Sequence, residues 1–223
     1  MIYLLHDNAG DKKLVLKGEV HKYLIKVLRH SLHDKISMRA MQSISLLHTY
    51  EITDITPKTL SLTLLTSQEK IVKSQKELHL AWCVIDVKSI EKVLPSLNEI
   101  GISKISFIYC DRSQKNFKLD FKRFNRLLEA SMQQCGRTEI MEFDTYKNIS
   151  SFISKFPDTK VFDFSDNILD GEVRFQRVLI GCEGGFSKEE RKFFKPQDVF
   201  RLNSPMVLRS ESAAVAVASK ILL

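Results

Sequence analysis

"LHLAWCVIDVKSIEKVLPSLNEIGISKISFIYC", residues 78–110, reads as two buried strands joined by one helix. The first run, 78–87, is apolar at almost every position, as a strand covered on both faces has to be. From Ser89 the spacing becomes helical, and Gly101 supplies the stop. A second apolar run, 104–110, follows. Strand, helix and strand in that order predict a parallel pair with a helical crossover.

The rhythm continues to the end of the chain. A long amphipathic helix from about Asp120 to Cys135 carries Phe121, Phe124, Leu127 and Leu128 on one face. Then come MEFD, a short helix near 148–155, KVFDFS, RVLIGC, a helix SKEERKFF, VFRLN and a final segment to Leu223. That last segment, AAVAVASKILL, alternates like a strand, but its alanines favour a helix and allow close packing. The expected class is α/β: a mostly parallel sheet with helices on both faces.

Upstream the pattern differs. One piece, EVHKYLIKVLRH at 19–30, looks helical, whereas SISLLHTYEITDITPKTLSLTLL runs in short β-branched and apolar alternations broken at Thr56-Pro57. This predicts a small β-barrel or sandwich. The chain turns polar over 67–76, so two domains are expected, 1–70 β-rich and 71–223 α/β.

Bulk properties narrow the function. The 223 residues are 43% hydrophobic and 27% charged, ordinary for a soluble globular protein. Apolar stretches such as 80–87 are too short to cross a bilayer and the N-terminus lacks a secretory pattern, so no membrane association and a cytoplasmic location are expected. Cys83, Cys110, Cys135 and Cys182 form no C-x-x-C pair and read as reduced, mostly buried thiols. The six histidines all precede residue 80 and no ligand cluster is spaced for a metal, so none is expected. A net charge of +7 favours polyanionic partners.

Three stretches carry chemistry. In "IGCEGGFSKEE", 180–190, a loop leaves a strand's carboxyl end, where ligands bind in open α/β sheets, and Ser187 with Glu190 forms a capping box for the next helix. Gly184 and Gly185 would let a ligand reach main-chain groups; a tight turn without ligand is the other reading. No G-x-G-x-x-G or P-loop pattern is present, which disfavours a phosphate cradle. In "LNSPMVLRSESAA", 202–214, Asn203, Ser204 and Pro205 make a turn, Val207 and Leu208 an apolar lip, and Ser210 is expected as N-cap of the last helix. Arg209 there could meet an anion or pair with Glu211. In "DRSQKNFKLDFKRFNR", 111–126, Arg112, Lys115, Lys118, Lys122, Arg123 and Arg126 face only Asp111 and Asp120. These are phosphate-contact candidates. Phe117 in the loop is the stacking candidate, while Phe121 and Phe124 are spaced for a core. Arg137 follows the glycine stop at Gly136 and is either a further anion contact or a cation at the helix end.

Together these pieces resemble the RsmE family of methyltransferases. The family's I-G-P-E-G-G-[FW]-[ST] is similar to residues 180–187 and its L-R-[TS]-E-T-A to residues 208–213. Weaker likenesses fall at 99–102, 110–113 and 133–137, and a family H-x-x-x-V-L-R is echoed at 23–29, ahead of a turn at His33-Asp34. Cys182 stands where the family has proline, Gln133 for a glutamate, Ser212 for a threonine, and Ser204 and Met206 where glycine and arginine are common.

The resemblance implies an N-terminal PUA-like β-barrel that binds RNA (1–70) and a SPOUT α/β methyltransferase domain with a trefoil knot (71–223). It implies methylation of N3 of a uridine in 16S ribosomal RNA, naked or in an assembled 30S subunit, by a homodimer. S-adenosylmethionine would be held by Ile180, Gly181, Glu183, Gly184 and Gly185 of one loop and by Leu202, Asn203, Ser204, Val207, Leu208 and Ser210 of the other. Arg209, Glu183 and Glu211 are the catalytic candidates. Lys22, Lys26, Arg29, Arg112, Lys115 and Arg137 are the RNA-contact candidates, with Arg39 beside them. A ribosome-assembly factor that binds RNA without catalysis, or a SPOUT methyltransferase of another RNA position, are the competing expectations.

Overall fold

The computed structural model describes residues 2–114, 116, 118–170 and 175–223. The chain forms two compact units, Met1–Val72 with Met132–Thr138, and Lys73–Ser131 with Glu139–Leu223.

The first unit is built on β1 (Leu4–Leu5), β2 (Lys13–Lys17), β3 (Lys35–Arg39), β4 (Leu46–Ile55) and β5 (Thr59–Glu69), with a helix α1 (Gly18–Lys22) after β2. Its sheet runs β1-β3-β4-β5-β2. Every pairing is antiparallel except β1 with β3. Burial alternates along β2, so that Leu14 and Leu16 join Leu24, Met38, Tyr50, Ile52, Leu60 and Leu62 in the core while their neighbours face out. Among the described residues the two edges, β1 and β2, do not pair, so the unit holds an open sheet where the pattern suggested a barrel or sandwich. The expected helix at 19–30 is also shorter: α1 gives way to a π-helical turn at Tyr23–Val27. Residues Met132–Thr138 belong here because their polar groups do. Gln133 accepts from the main chain of Ile2 and, through Oε1, of Leu5; Tyr3 donates to the carbonyl of Arg137 at 2.7 Å.

The second unit contains β6 (His79–Cys83), α2 (Val87–Ile100), β7 (Lys104–Ile108), α3 (Phe121–Cys135, its last turn counted with the first unit) and β8 (Glu142–Tyr146). It continues with α4 (Ile149–Lys155), β9 (Lys160–Phe162), β10 (Arg177–Ile180), α5 (Lys188–Arg191), β11 (Val199–Phe200) and α6 (Ser210–Leu222). Asp86 caps α2 through Ser89 N–H, and Gly101, at φ 109°, ends it in the left-handed region. The six strands lie in the order β11-β9-β10-β6-β7-β8, and all five pairings are parallel.

Consecutive residues of β6, β7 and β10 are buried, which a strand achieves only when both its faces are covered. Phe121 and Phe124 of α3 pack on Phe107 and Phe143 from one side. From the other, Phe152 of α4 and Phe156 just after it pack on His79 and Tyr146. α6, the expected terminal helix, presents Ala213, Ala214 and Ala218 as buried residues and lies against α2, β6 and β10. The expected helix SKEERKFF is only the four residues of α5, since the chain turns again after Arg191.

At the amino ends of these strands polar side chains satisfy one another. Arg177 Nε donates to His79 Nδ1 at 3.3 Å, so the ring hydrogen lies on Nε2, 2.6 Å from Ser106 Oγ. Ser106 in turn donates to Asp144, which pairs with Lys104 at 3.0 Å. Burial, and then the Arg177 charge, hold the His79 pKa down at about 4.

Candidate active site

The carboxyl ends are arranged differently. The chain runs outward from β6 to β7 and β8, then returns to lay β9 and β10 on β6's other side, so the order reverses between β6 and β10. Ligands bind in open α/β sheets at such a reversal. Here a cavity of about 670 Å³ opens, bordered by the loops after β9, β10 and β11 and by Arg112 after β7.

β10 leads through Gly181 into a turn closed by Gly185 N–H donating to the Cys182 carbonyl at 2.9 Å. Gly185 sits at φ 64°, the left-handed region that costs other residues energy. The expected capping box is present: Ser187 Oγ accepts from Glu190 N–H at 3.1 Å, and Glu190 Oε2 accepts from Ser187 N–H at 2.8 Å. Arg191 grips Asp163 at 2.8 and 3.2 Å and donates to the Phe186 carbonyl, fixing the loop after β9. Arg201 is likewise engaged, with the carbonyls of Ser165 and Leu202. Arg209 differs. It is exposed on the cavity wall, and its side chain makes no hydrogen bond or ion pair among the described residues.

The cavity brings together Ile180, Gly181, Glu183, Gly184, Gly185, Leu202, Ser204, Val207, Leu208, Arg209 and Ser210, as well as Arg112. It does not include Asn203 or Glu211. The Arg209–Glu211 pair is not formed among the described residues. Ser210 is not the N-cap of α6: Arg209 holds that position. The Ser210 hydroxyl is committed elsewhere, accepting from Trp82 Nε1 at 2.8 Å and donating to the Gly181 carbonyl at 2.5 Å, which ties α6 to the glycine loop. Phe162, Asp163, Phe164, Arg191 and Arg201 border the cavity without having been singled out. The signal was available, because KVFDFS ends a parallel strand just as RVLIGC does.

Residues 72–222 match the family model of the RNA methyltransferase domain. The chain is 38% identical over 223 residues, 98% of each chain, to ribosomal RNA small subunit methyltransferase E of Helicobacter pylori. It belongs to that family. Among solved structures, ribosomal RNA small subunit methyltransferase E of Neisseria gonorrhoeae, bound to S-adenosyl methionine, is similar at a TM-score of 0.74 and 16% identity, covering 98% of this chain and 95% of that one. A Legionella pneumophila structure described as a methyltransferase with bound SAM is similar at 0.73 and 22%, covering 98% and 94%. At these identities the likeness concerns the fold.

The protein is thus a ribosomal RNA methyltransferase, and its glycines can be reread. A Cβ at Gly184 would meet the Arg112 Cδ at 3.2 Å, so a side chain there would press on the arginine stem. Gly181 is small because Gly185 and the Phe186 ring lie 3.3 Å from where its Cβ would be. At both positions a side chain would crowd neighbours within the methyltransferase, and both glycines also line the cavity. Cys182 is buried in the same turn, 3.5 Å from Cys110. Hydrogen bonding to Cys110 and burial hold its thiol above the usual range.

Of the RNA candidates in the first unit, Lys22, Lys26 and Arg29 are exposed. Arg137 is 4% exposed and cannot present its guanidinium to a phosphate in this conformation. Arg39 is also buried: it donates to the carbonyls of Ile44 and Lys70 and lies over the Tyr3 ring. Lys115 and Phe117 lie outside the described residues.

Proposed function

We propose that this methyltransferase uses S-adenosylmethionine to methylate N3 of a uridine in small-subunit ribosomal RNA. The observation that carries the reading is the cavity at the carboxyl ends of β9, β10 and β11, lined by the three loops that follow them, Arg209 included, and by Arg112, in a chain of this family. Its volume falls in the range of small-molecule sites, roughly 300–1,000 Å³. The residues present suit the cofactor: Gly181, Gly184, Gly185 and Ser204 bring the main chain to the cavity with little side chain in the way, while Ile180, Leu202, Val207 and Leu208 offer an apolar wall.

Bound S-adenosylmethionine supplies an electrophilic methyl group on a sulfonium. The chain's part is alignment, a proton acceptor and charge stabilisation. Glu183 lines the cavity and is assigned to take the uracil N3 proton; Glu211, outside the cavity, is the second choice. Arg209 has no competing partner among the described residues and is assigned to steady the charge that develops on the uracil carbonyl oxygens.

The further reading follows the family. The first unit is proposed as a PUA-like RNA-binding domain, with Lys22, Lys26 and Arg29 as phosphate contacts joined by Arg112 and Lys115 of the second domain. The second is proposed as a SPOUT domain with a trefoil knot. Laying β10 between β6 and β9, then β11 beyond β9, before α6 returns to β6 and β10, supports that topology. A homodimer in the cytoplasm completes the proposal; among the described residues no helix is long and apolar enough to cross a membrane.

The test takes 30S subunits from cells lacking the protein, incubates them with protein and cofactor, and analyses the nucleosides by mass spectrometry. New 3-methyluridine is expected, with cofactor binding seen by calorimetry. A different methylated nucleoside would move the target, and absence of cofactor binding would leave an assembly factor.

A further inference from the structure

We propose that Glu190 is a positioning residue for methyl transfer, holding Arg112 at the cavity wall by joining the turn after β7 to the glycine loop. The proposal rests on the reading above, in which Arg112 meets the RNA at this site.

Capping α5 uses one carboxylate oxygen of Glu190. The other does something that a cap does not require. Glu190 Oε1 accepts from the main-chain N–H of Asp111 at 2.8 Å, across 79 positions in sequence. The side chain is 5% exposed, and a carboxylate that deep is tolerated when both oxygens are satisfied. Here each takes one peptide N–H from a different loop. A second bond runs alongside: Ser187 Oγ donates to Asp111 Oδ2 at 2.6 Å while accepting from Glu190 N–H. Asp111 is thereby tied by both its main chain and its side chain.

Arg112 is the next residue. Its Nη1 donates to the Gly184 carbonyl and its aliphatic stem lies over Gly184, in the space a Cβ would need. A long, exposed arginine loses considerable rotamer freedom when held in one place. Fixing the backbone at Asp111 removes part of that freedom beforehand, so one buried carboxylate joins Ser187, just past the glycine loop, to the origin of the arginine that crosses it. Glu190 is not among the residues that line the cavity. It acts through Arg112.

The test is a double-mutant cycle on methylation of small-subunit RNA, with cofactor affinity by calorimetry and amide hydrogen exchange as independent readouts. Arg112→Ala is expected to lower kcat/KM for RNA roughly tenfold to a hundredfold. Glu190→Gln keeps the size but turns an NH₂ toward one of the two peptide donors. It is expected to lose on the order of tenfold, with faster exchange at the Asp111 amide and cofactor Kd within about threefold. In the Arg112→Ala background the Glu190→Gln change should cost almost nothing more. Should Glu190→Gln fold poorly, Asp111→Ala cuts only the exposed side-chain tie and should give a smaller loss, on the order of threefold, that also vanishes without Arg112. Losses that multiply in the double variant, a fall in cofactor affinity that matches the whole effect, or a fully active Arg112→Ala each overturn the proposal. A wild-type protein that binds cofactor yet leaves the RNA unmethylated overturns the functional reading along with it.

Discussion

The two ends of the second unit's sheet are made from the same strands and treat polar groups in opposite ways. At the amino ends Arg177, His79, Ser106, Asp144 and Lys104 form a chain in which donors meet acceptors within the protein. At the carboxyl ends Arg191 and Arg201 are engaged, but Arg209, whose side chain has no hydrogen bond or ion pair among the described residues, lies on the wall of a cavity. A closed polar network stabilises and selects one packing, whereas a polar group left facing a cavity costs stability and is available for binding. Residue type alone does not separate the two ends, since a Ser-His-Asp combination sits in the closed network.

Four experiments break or sharpen this contrast. Arg209→Ala should slow single-turnover methyl transfer about 10²- to 10³-fold with the thermal midpoint almost unchanged. An unchanged rate removes Arg209 from the chemistry. Acid should strike the opposite end. His79 has a folded pKa of about 4 against a usual 6.5, so as pH falls the unfolded chain takes up this proton first. Its contribution, on the order of 3 kcal/mol, is whole above about pH 6.5 and drains away between there and about pH 4. Urea unfolding at pH 7 and pH 4.5 should show a drop that His79→Gln reduces; equal drops in both proteins would contradict the assignment.

Gly185→Ala places a Cβ only 3.8 Å from Arg191 Nη2, an ordinary contact, so its cost is the left-handed backbone alone, about 1–2 kcal/mol. Calorimetry should report a cofactor Kd raised about tenfold, and an unaltered Kd would mean that the loop's shape does not matter for binding. The smallest effect is expected for Glu211→Gln, within about twofold of wild-type kcat, against a loss of at least 10²-fold for Glu183→Gln if Glu183 is the base. The reverse order would exchange their roles.

Much of this was legible from local pattern. The strand-helix-strand unit at 78–110, the Gly101 stop and the Ser187/Glu190 cap are decided by neighbours in sequence, and each appears in the structure. The two loops at 180–187 and 202–210 could be paired on the rule that parallel strands deliver ligand loops at one edge. Long-range facts were not legible. Nothing near Gly184 announces that Arg112 will lie over it, and nothing near Arg137 announces that it will be buried. Ser210 looked like a cap because its partners, Trp82 and Gly181, are distant in sequence. The insertion of β10 between β6 and β9 depends on tertiary assembly alone.

The membership of Met132–Thr138 in the first unit means that the polypeptide passes between the two units three times, after residues 72, 131 and 138. On the ribosome, the amino-terminal unit must therefore wait until β6, α2, β7 and α3 have been translated before Gln133 can reach Ile2 and Leu5. Its maturation is interleaved with that of the second unit, a high-separation contact that slows closure. An excised fragment ending near residue 70 would lack those acceptors, and restoring it would call for grafting the 132–138 segment as well.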